Sequence, residues 1–424
     1  MFETLILPRW ILPIAPKNIV LEDHGVIVDQ GRIVAILPTT EALTKPIKKI
    51  INLRNHALMP GFVNTHSHAA MNLMRGVADD LPLHEWLTNH IWPMEEKIVN
   101  EQHIAKGSTL AITEMLRGGV TCFNDHYFFP QITAECAIKM GIRACLGLEI
   151  MHPPTGYSKN EEEAFAKAKE IYRHFSKIHP RITWMMAPHG SYSVSDSMFK
   201  KIVQFSDETH LPIHIHLQET QNEIDMSMRE FGKRPIQRLA DLGLFQHHLV
   251  AAHMVHVNEK EMDFVASHPI HIAHCPESNM KLASGFAPIK TFMQRGINVS
   301  IGTDGAASNN DLDMIGEMRT AAFIAKGITG DATALNAADA LKAATLNGAR
   351  ALQLDKEIGS IEIGKAADVI AIDLGDEMLQ PIHNVMSNLV YATGRNQVSD
   401  VWVAGQHLVR NHRLLMSFSN AMRG

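Results

Sequence analysis

Cysteine is scarce. There are four in 424 residues, Cys122, Cys136, Cys145 and Cys275, and no two stand in a C-x-x-C pair. That excludes a disulfide framework and a thiolate zinc site, and it fits a reducing compartment, so a cytoplasmic location is expected. No run of Lys and Arg forms a basic stripe, and the formal charge is −6, so no nucleic-acid partner is expected. Long apolar runs are missing too. The stretch from Leu5 to Val20 is broken by Pro8, Arg9, Pro13, Pro16 and Lys17, and no basic segment precedes it. Neither a signal peptide nor a membrane partner is expected from it. Low-complexity tracts are also absent.

What remains is an ordinary globular composition, 46% hydrophobic and 20% charged, at a length suited to a ~250-residue barrel with a smaller companion. The first sixty residues carry strand texture, with a hairpin predicted from Gly25 to Ile36 around Asp29-Gln30-Gly31, and nothing helical. From Gly61 the texture changes. Short apolar runs predict strands at Phe62 to Thr65, Thr121 to Asn124, Ala144 to Ile150, Ile182 to Ala187, Pro212 to Leu217, Leu249 to Val255, Ile270 to His274 and Asn298 to Thr303. Amphipathic stretches such as Glu101 to Leu116, Glu161 to Phe175, Asp196 to Thr209 and Gln221 to Leu242 separate them. Alternation of this kind predicts an α/β (β/α)8 TIM barrel, whose strands are buried on both faces. A further helical region from Leu312 to Leu352 precedes a return of strand texture in Ile358 to Asp373 and Val398 to Leu408. The two ends resemble each other. The expected organisation is a catalytic barrel over 60–354 and a small β-sandwich domain composed of 1–59 and 355–424.

Histidine is the residue in excess, with 25 in the chain. A few stand at the ends of predicted barrel strands, the rim where active sites of this fold lie. His66 and His68, in Asn64-Thr65-His66-Ser67-His68, close the first strand. At i and i+2 both side chains point to one side and can reach a single ion. His214 and His216 close the fifth strand, with Glu219 three residues on. His253 lies in the sixth, and Asp304, in Gly302-Thr303-Asp304-Gly305, follows the eighth. Taken singly, each has a plainer reading: polar strand ends for the pair, a satisfied core histidine for His214, a turn or cap for Asp304. Four such groups at one rim are hard to ascribe to caps.

This constellation resembles the amidohydrolase superfamily. His66-Ser67-His68 after Pro60-Gly61-Phe62-Val63-Asn64-Thr65, then His216, His253 and Asp304, look like its metal site, and the flanking β segments match its companion domain. His216-Leu217-Gln218-Glu219 is similar to the H-x-x-E of the branch that uses one metal, and no Lys occurs in Ile182 to Gly190 to bridge a second. The resemblance implies one divalent metal, Zn2+ or Fe2+, on His66, His68, His216 and Asp304. Three neutral imidazoles and a carboxylate suit either ion, and bound Zn2+ brings the pKa of its water to about 7. Glu219, His253 and Asp304 are then the catalytic residues. His253 and Asp304 orient and deprotonate the water, and Glu219 carries a proton to the ring nitrogen beside the attacked carbon.

Leu81-Pro82-Leu83-His84-Glu85-Trp86-Leu87, followed by Trp92-Pro93-Met94-Glu95, resembles the first loop of the methylthioadenosine/S-adenosylhomocysteine deaminases. The resemblance implies that Trp86 and Glu95 hold a ribose, that His189 in Ala187-Pro188-His189 contacts the base, and that Ser308 contacts the purine. The plainer readings are packing for Trp86, an exposed helix for Glu95 and a cap for Ser308. The expected partner is a small-molecule purine nucleoside, and the expected assembly a homo-oligomer, dimer or tetramer. Relatives that accept S-adenosylhomocysteine clamp its carboxylate with arginines after the third strand, where residues 148–157 here contain none. An uncharged thioether tail fits better, which favours 5′-methylthioadenosine over S-adenosylhomocysteine or adenosine. The alternatives on the same fold are an s-triazine chlorohydrolase and a guanine or cytosine deaminase. A non-enzymatic scaffold is disfavoured because every polar group of the site is retained. Neither H-x-E nor P-C-x-x-C occurs, so the unrelated zinc nucleobase deaminases are set aside.

Overall fold

In the computed structural model, which describes residues 1–17 and 19–415, eight parallel strands neighbour one another in sequence order. They are Phe62–Ser67, Val120–Asp125, Arg143–Ile150, Ile182–Pro188, Ile213–Leu217, Leu249–His253, Ile270–His274 and Asn298–Ile301. All eight predicted strands are present, with ends displaced by a residue or two. The sixth stops early for a physical reason: His253 and Met254 adopt φ of 71° and 50°, which ends extended backbone. Val63, Cys122, Cys145, Met185, Val250 and Ala273 form one buried cluster inside the barrel. Helices such as Glu101–Arg117, Glu161–Phe175 and Asp196–Thr209 cover the outside, each opened by an Asn or Ser whose side chain accepts from the first turn.

Between the last strand and the first the barrel closes through mixed contacts. The Asp304 amide donates to His66 O at 2.9 Å, Thr303 N to Asn64 Oδ1 at 3.0 Å, and Thr65 Oγ1 to Ile301 O at 2.9 Å. Gly302 makes this approach possible. A Cβ there would lie 2.8 Å from the His66 amide nitrogen, so any other residue would push apart the two strands that carry His66 and lead into Asp304.

A second sheet of nine strands comes from the two ends of the chain. Ile47–Pro60 from the N-terminal part pairs antiparallel with Val369–Asp373 from the C-terminal part, with Ile370 opposite Met59. Pairing is antiparallel except between Phe2–Ile11 and Ile47–Pro60, which run parallel. The predicted hairpin is His24–Asp29 with Arg32–Pro38, and its turn residues Gln30 and Gly31 both have positive φ, 48° and 75°. Ile6, Val26, Ile33, Leu58, Val369 and Trp402 pack as one cluster against this sheet. Residues 416–424 of the expected composite segment lie outside the described residues.

Other expectations need correction. The helix expected over Gln221 to Leu242 is two, Gln221–Phe231 and Pro235–Asp241, because Gly232 takes φ 66° and Pro235 starts anew. The region from Leu312 to Leu352 divides into Met314–Thr329, Ala337–Ala343 and Leu346–Ala351. Of Ile358 to Asp373 only Val369–Asp373 is strand, since Gly359 and Gly364 turn the backbone at φ 87° and 94°. The first sixty residues do contain one short helix, Thr39–Ala42.

One buried ion pair ties the barrel to the terminal sheet. Arg143, in the third barrel strand, meets Asp368 with Nε to Oδ2 at 3.0 Å and Nη2 to Oδ1 at 3.1 Å. Asp368 Oδ1 also accepts from the Ala404 amide at 2.8 Å. Removing one partner leaves a buried charge alone. Asp368→Ala is therefore expected to cost about 3–5 kcal/mol in urea unfolding, and a loss below about 1 kcal/mol would show that the pair does not hold the two parts together.

Candidate metal and active site

The rim of the barrel is built from residues whose backbone leaves the strand abruptly. Gln218, His253 and Asp304 follow or end the fifth, sixth and eighth strands with φ of 50°, 71° and 61°. Left-handed backbone at residues other than glycine costs on the order of 1–3 kcal/mol each and persists where the surroundings enforce it. Here it turns three candidate residues, or the backbone leading to them, toward one point.

At that point stand His66, His68, His216 and Asp304. The Asp304 Oδ1 atom lies 3.4 Å from His66 Nε2 and 3.2 Å from His68 Nε2. His68 Nε2 is 3.3 Å from His216 Nε2. Backbone carbonyls orient both rings: His68 Nδ1 donates to His126 O at 2.5 Å and His216 Nδ1 to His189 O at 2.6 Å. With those protons committed, two Nε2 lone pairs face each other at van der Waals distance, which requires a proton or a cation between them. His66 Nε2 is buried without a hydrogen-bond partner and completes the donor set. Among the described residues His66 is shared by three metal-capable clusters, one with His68 and Asp304, one with His216 and His253, and one with His126 and His214. The electrostatics agree. Burial works against a charge on His68, but Asp304 outweighs it and raises the ring to about 9, whereas burial dominates at His66 and holds it down to about 3. The residues fit a divalent ion.

Asp304 does not reach this position alone. Ser278 Oγ and Ser308 Oγ donate to its Oδ2 at 2.6 and 3.0 Å, and the Gly305 amide donates to Oδ1 at 2.8 Å. Ser308 thus lies inside the short helix Ala306–Asn309 and holds a candidate ligand rather than capping a helix. His214 keeps its plainer reading as a buried ring, with its Nε2 3.0 Å from His66 Nδ1 and its Nδ1 accepting from Asn124 Nδ2 at 3.0 Å.

Above the cluster opens a pocket lined by Trp86, Glu95, His189, Glu219, His253 and Ser308 among others, so every expected substrate-side residue reaches one cavity. His253 Nδ1 donates to Asn279 Oδ1 at 2.8 Å, and its Nε2 lies 3.6 Å from Glu219 Oε2. Burial raises the Glu219 carboxyl above the usual range, with His253 working against it. Ser284 Oγ donates to Glu219 Oε1 at 3.2 Å, and the Glu219 amide donates to Glu223 Oε2 at 2.9 Å. Glu95 is not on an exposed face. It is 4% exposed, accepts from Tyr127 OH at 2.7 Å, and burial pushes its carboxyl up to about 7. Sequence reasoning passed over Ser278 and Asn279, which follow the seventh strand, and His126, Tyr127 and Glu149 at the ends of the second and third. Their position at the same rim was the available signal.

A deep pocket over a His and Asp cluster at the C-terminal mouth of a (β/α)8 barrel defines the class of metal-dependent hydrolases. The chain belongs to the amidohydrolase family, whose model matches residues 57–408, and within it to the 5-methylthioadenosine/S-adenosylhomocysteine deaminases. A protein of that name from Teredinibacter turnerae is 44% identical over 96% of this chain and 92% of its own length. A 5′-deoxyadenosine deaminase from Methanopyrus kandleri is 37% identical over 95% and 93%. The crystal structure of a zinc-bound adenosine deaminase from Xanthomonas campestris superimposes with a TM-score of 0.97 at 45% identity, covering 99% of this chain and 96% of that one. No helix among the described residues is long and apolar enough to cross a membrane.

The geometry makes a direct prediction about the ion. His216→Ala removes one Nε2 from the donor set and is expected to lose divalent metal on gel filtration in chelator-free buffer, as measured by elemental analysis. Retention at the wild-type level would remove His216 from the metal site.

Proposed function

We propose that the chain hydrolyses the C6 amine of an adenine nucleoside, 5′-methylthioadenosine foremost, with S-adenosylhomocysteine and adenosine as weaker substrates, and that it works with one Zn2+, or Fe2+, per chain. The observation that carries this reading is Glu219. It is a buried carboxyl with a raised pKa, it faces His253, and it lies in the same pocket as the His and Asp cluster. A carboxyl whose pKa is raised holds its proton to higher pH, which suits it to donate to the ring nitrogen beside C6. A divalent ion bound there supplies the Lewis acidity that makes water nucleophilic near pH 7. The hydrogen bond to Asn279 holds the His253 ring with Nδ1 protonated and leaves Nε2 to accept the proton of the attacking water. Asp304, with Oδ2 already held by two serines, keeps Oδ1 for the cluster. Water adds to C6 as His253 takes one of its protons, Glu219 protonates the ring nitrogen, and collapse returns the C6 carbonyl as the hydroxyl proton restores Glu219 and the proton held by His253 leaves with ammonia.

The pocket walls support a nucleoside with an uncharged tail. Glu95 and Trp86 both line the cavity, where this reading has them hold the ribose. No Lys or Arg lines the pocket, so a substrate carboxylate would find no cationic partner among the described residues. Strand alternation sharpens the point. Glu149 and Met151 line the cavity, whereas Leu148 and Ile150 point away from it. The wall after the third strand is therefore a carboxyl and a thioether rather than purely apolar.

Ammonia release measured with methylthioadenosine, S-adenosylhomocysteine, adenosine and a chlorinated s-triazine tests the reading. Turnover of the first at the highest kcat/KM is expected, and chloride release from the triazine without any nucleoside turnover would overturn it. Glu219→Gln should keep its metal and lose about 10²–10⁴-fold in kcat, while near-normal kcat would take Glu219 out of the mechanism. Glu95 accepts from ribose hydroxyls when ionised, so nucleoside KM is expected to rise as pH falls through about 7. Glu95→Gln should raise KM and flatten that dependence, and an unchanged profile would mean that Glu95 does not hold the ribose.

A further inference from the structure

Two buried groups at the bottom of the pocket have no part in the chemistry described so far. His126 directly follows the second strand, 1% exposed, and Glu149 stands near the end of the third, 2% exposed. Glu149 Oε2 lies 2.9 Å from His126 Nε2, close enough to pair though not aligned as a hydrogen bond, and the oxygens of Glu149 and the ring nitrogens of His126 are buried without a hydrogen-bond partner. Both side chains line the cavity. A buried carboxyl without partners is costly, so what holds it there is its neighbour.

His126 in turn touches two of the candidate ligands by different routes. Its backbone carbonyl takes the Nδ1 proton of His68 at 2.5 Å, which is what leaves His68 Nε2 free. Its ring stacks on the ring of His216, with centroids 4.7 Å apart and planes at 23°. Its own amide donates to Ser67 O at 2.9 Å, so the backbone that carries the carbonyl is fixed between the two histidines of the H-x-H segment. The side chain meets the Glu149 carboxyl at its Nε2 edge, with the Ala187 backbone and the His214 ring as its other neighbours.

We propose that Glu149 and His126 form a positioning pair for the metal site, in which the carboxyl fixes the His126 ring and the ring fixes the plane of His216. The proposal rests on reading His68 and His216 as metal ligands. Groups that orient ligands in this way are worth about 10–100-fold in metal affinity. Neither residue is a catalytic residue in this view, because neither touches the reacting atoms.

The test compares wild-type protein with Glu149→Leu, Glu149→Gln and His126→Leu. The readouts are the zinc dissociation constant from chelator competition and the visible absorption of the Co2+-substituted protein. Glu149→Leu and His126→Leu are expected to weaken zinc about 10–100-fold and to shift the Co2+ bands, because a tilted His216 changes the ligand field. Glu149→Gln, whose amide keeps a polar oxygen beside the ring at nearly the same volume, should stay within about threefold of wild type. If Glu149→Leu does not fold, His126→Leu decides by the same readouts, since it keeps the carbonyl to His68 and loses only the ring. Wild-type zinc affinity and an unchanged Co2+ spectrum in either leucine variant would overturn the proposal, including when KM for the nucleoside rises. Wild-type protein that holds no divalent ion would instead fail the metal reading, before any variant is compared.

Discussion

The structure turns on one short approach, that of the first barrel strand to the chain leaving the eighth. The Asp304 amide bonds to the His66 carbonyl while the Asp304 carboxylate reaches the His66 and His68 rings. Closing the barrel and assembling the site are therefore the same event. Gly302 permits the contact because no side chain fits between the strands there. Asp304 pays in left-handed backbone and is repaid by Ser278, Ser308 and the Gly305 amide.

From that seam the chemistry is layered outward by burial. At the floor, imidazoles and a carboxylate sit where desolvation opposes charge unless an opposite charge compensates it, as Asp304 does for His68. One level up, the same desolvation raises the carboxyls of both Glu219 and Glu95, so groups of one type do different work according to their neighbours. Carbonyls of His126 and His189 then decide which nitrogen of each candidate ligand is free. The backbone of one loop thus sets the tautomer of a ring on another strand.

Much of this was legible because the signals were local. Eight apolar runs separated by amphipathic stretches could be counted, and an H-x-H pair, an H-x-x-E and a lone Asp after a glycine stood at run ends. His214 shows where local reading stopped. Alternation puts it on the same face as His216, yet it lies deeper, and depth in a barrel is not a property of a single strand. Glu95 marks another limit of local reading. Flanked by Glu96 and Lys97 it has the look of a solvated helix, and only the packing of its loop over the barrel mouth makes it a buried wall.

By itself the sequence determined which segments become strands, which residue types stand at their C-terminal ends, and that those types suit a single divalent ion and a proton carrier. These follow from periodicity of 2 and 3.6 and from the donor chemistry of the side chains. The tertiary structure decided which nitrogens face one another, how far each carboxyl lies from water, and that Ser278, Asn279, His126 and Glu149 belong to the site. Distances between strands and the dielectric around a carboxyl depend on residues far apart in the chain, as the closure of Asp304 onto His66 shows, and no local pattern encodes them.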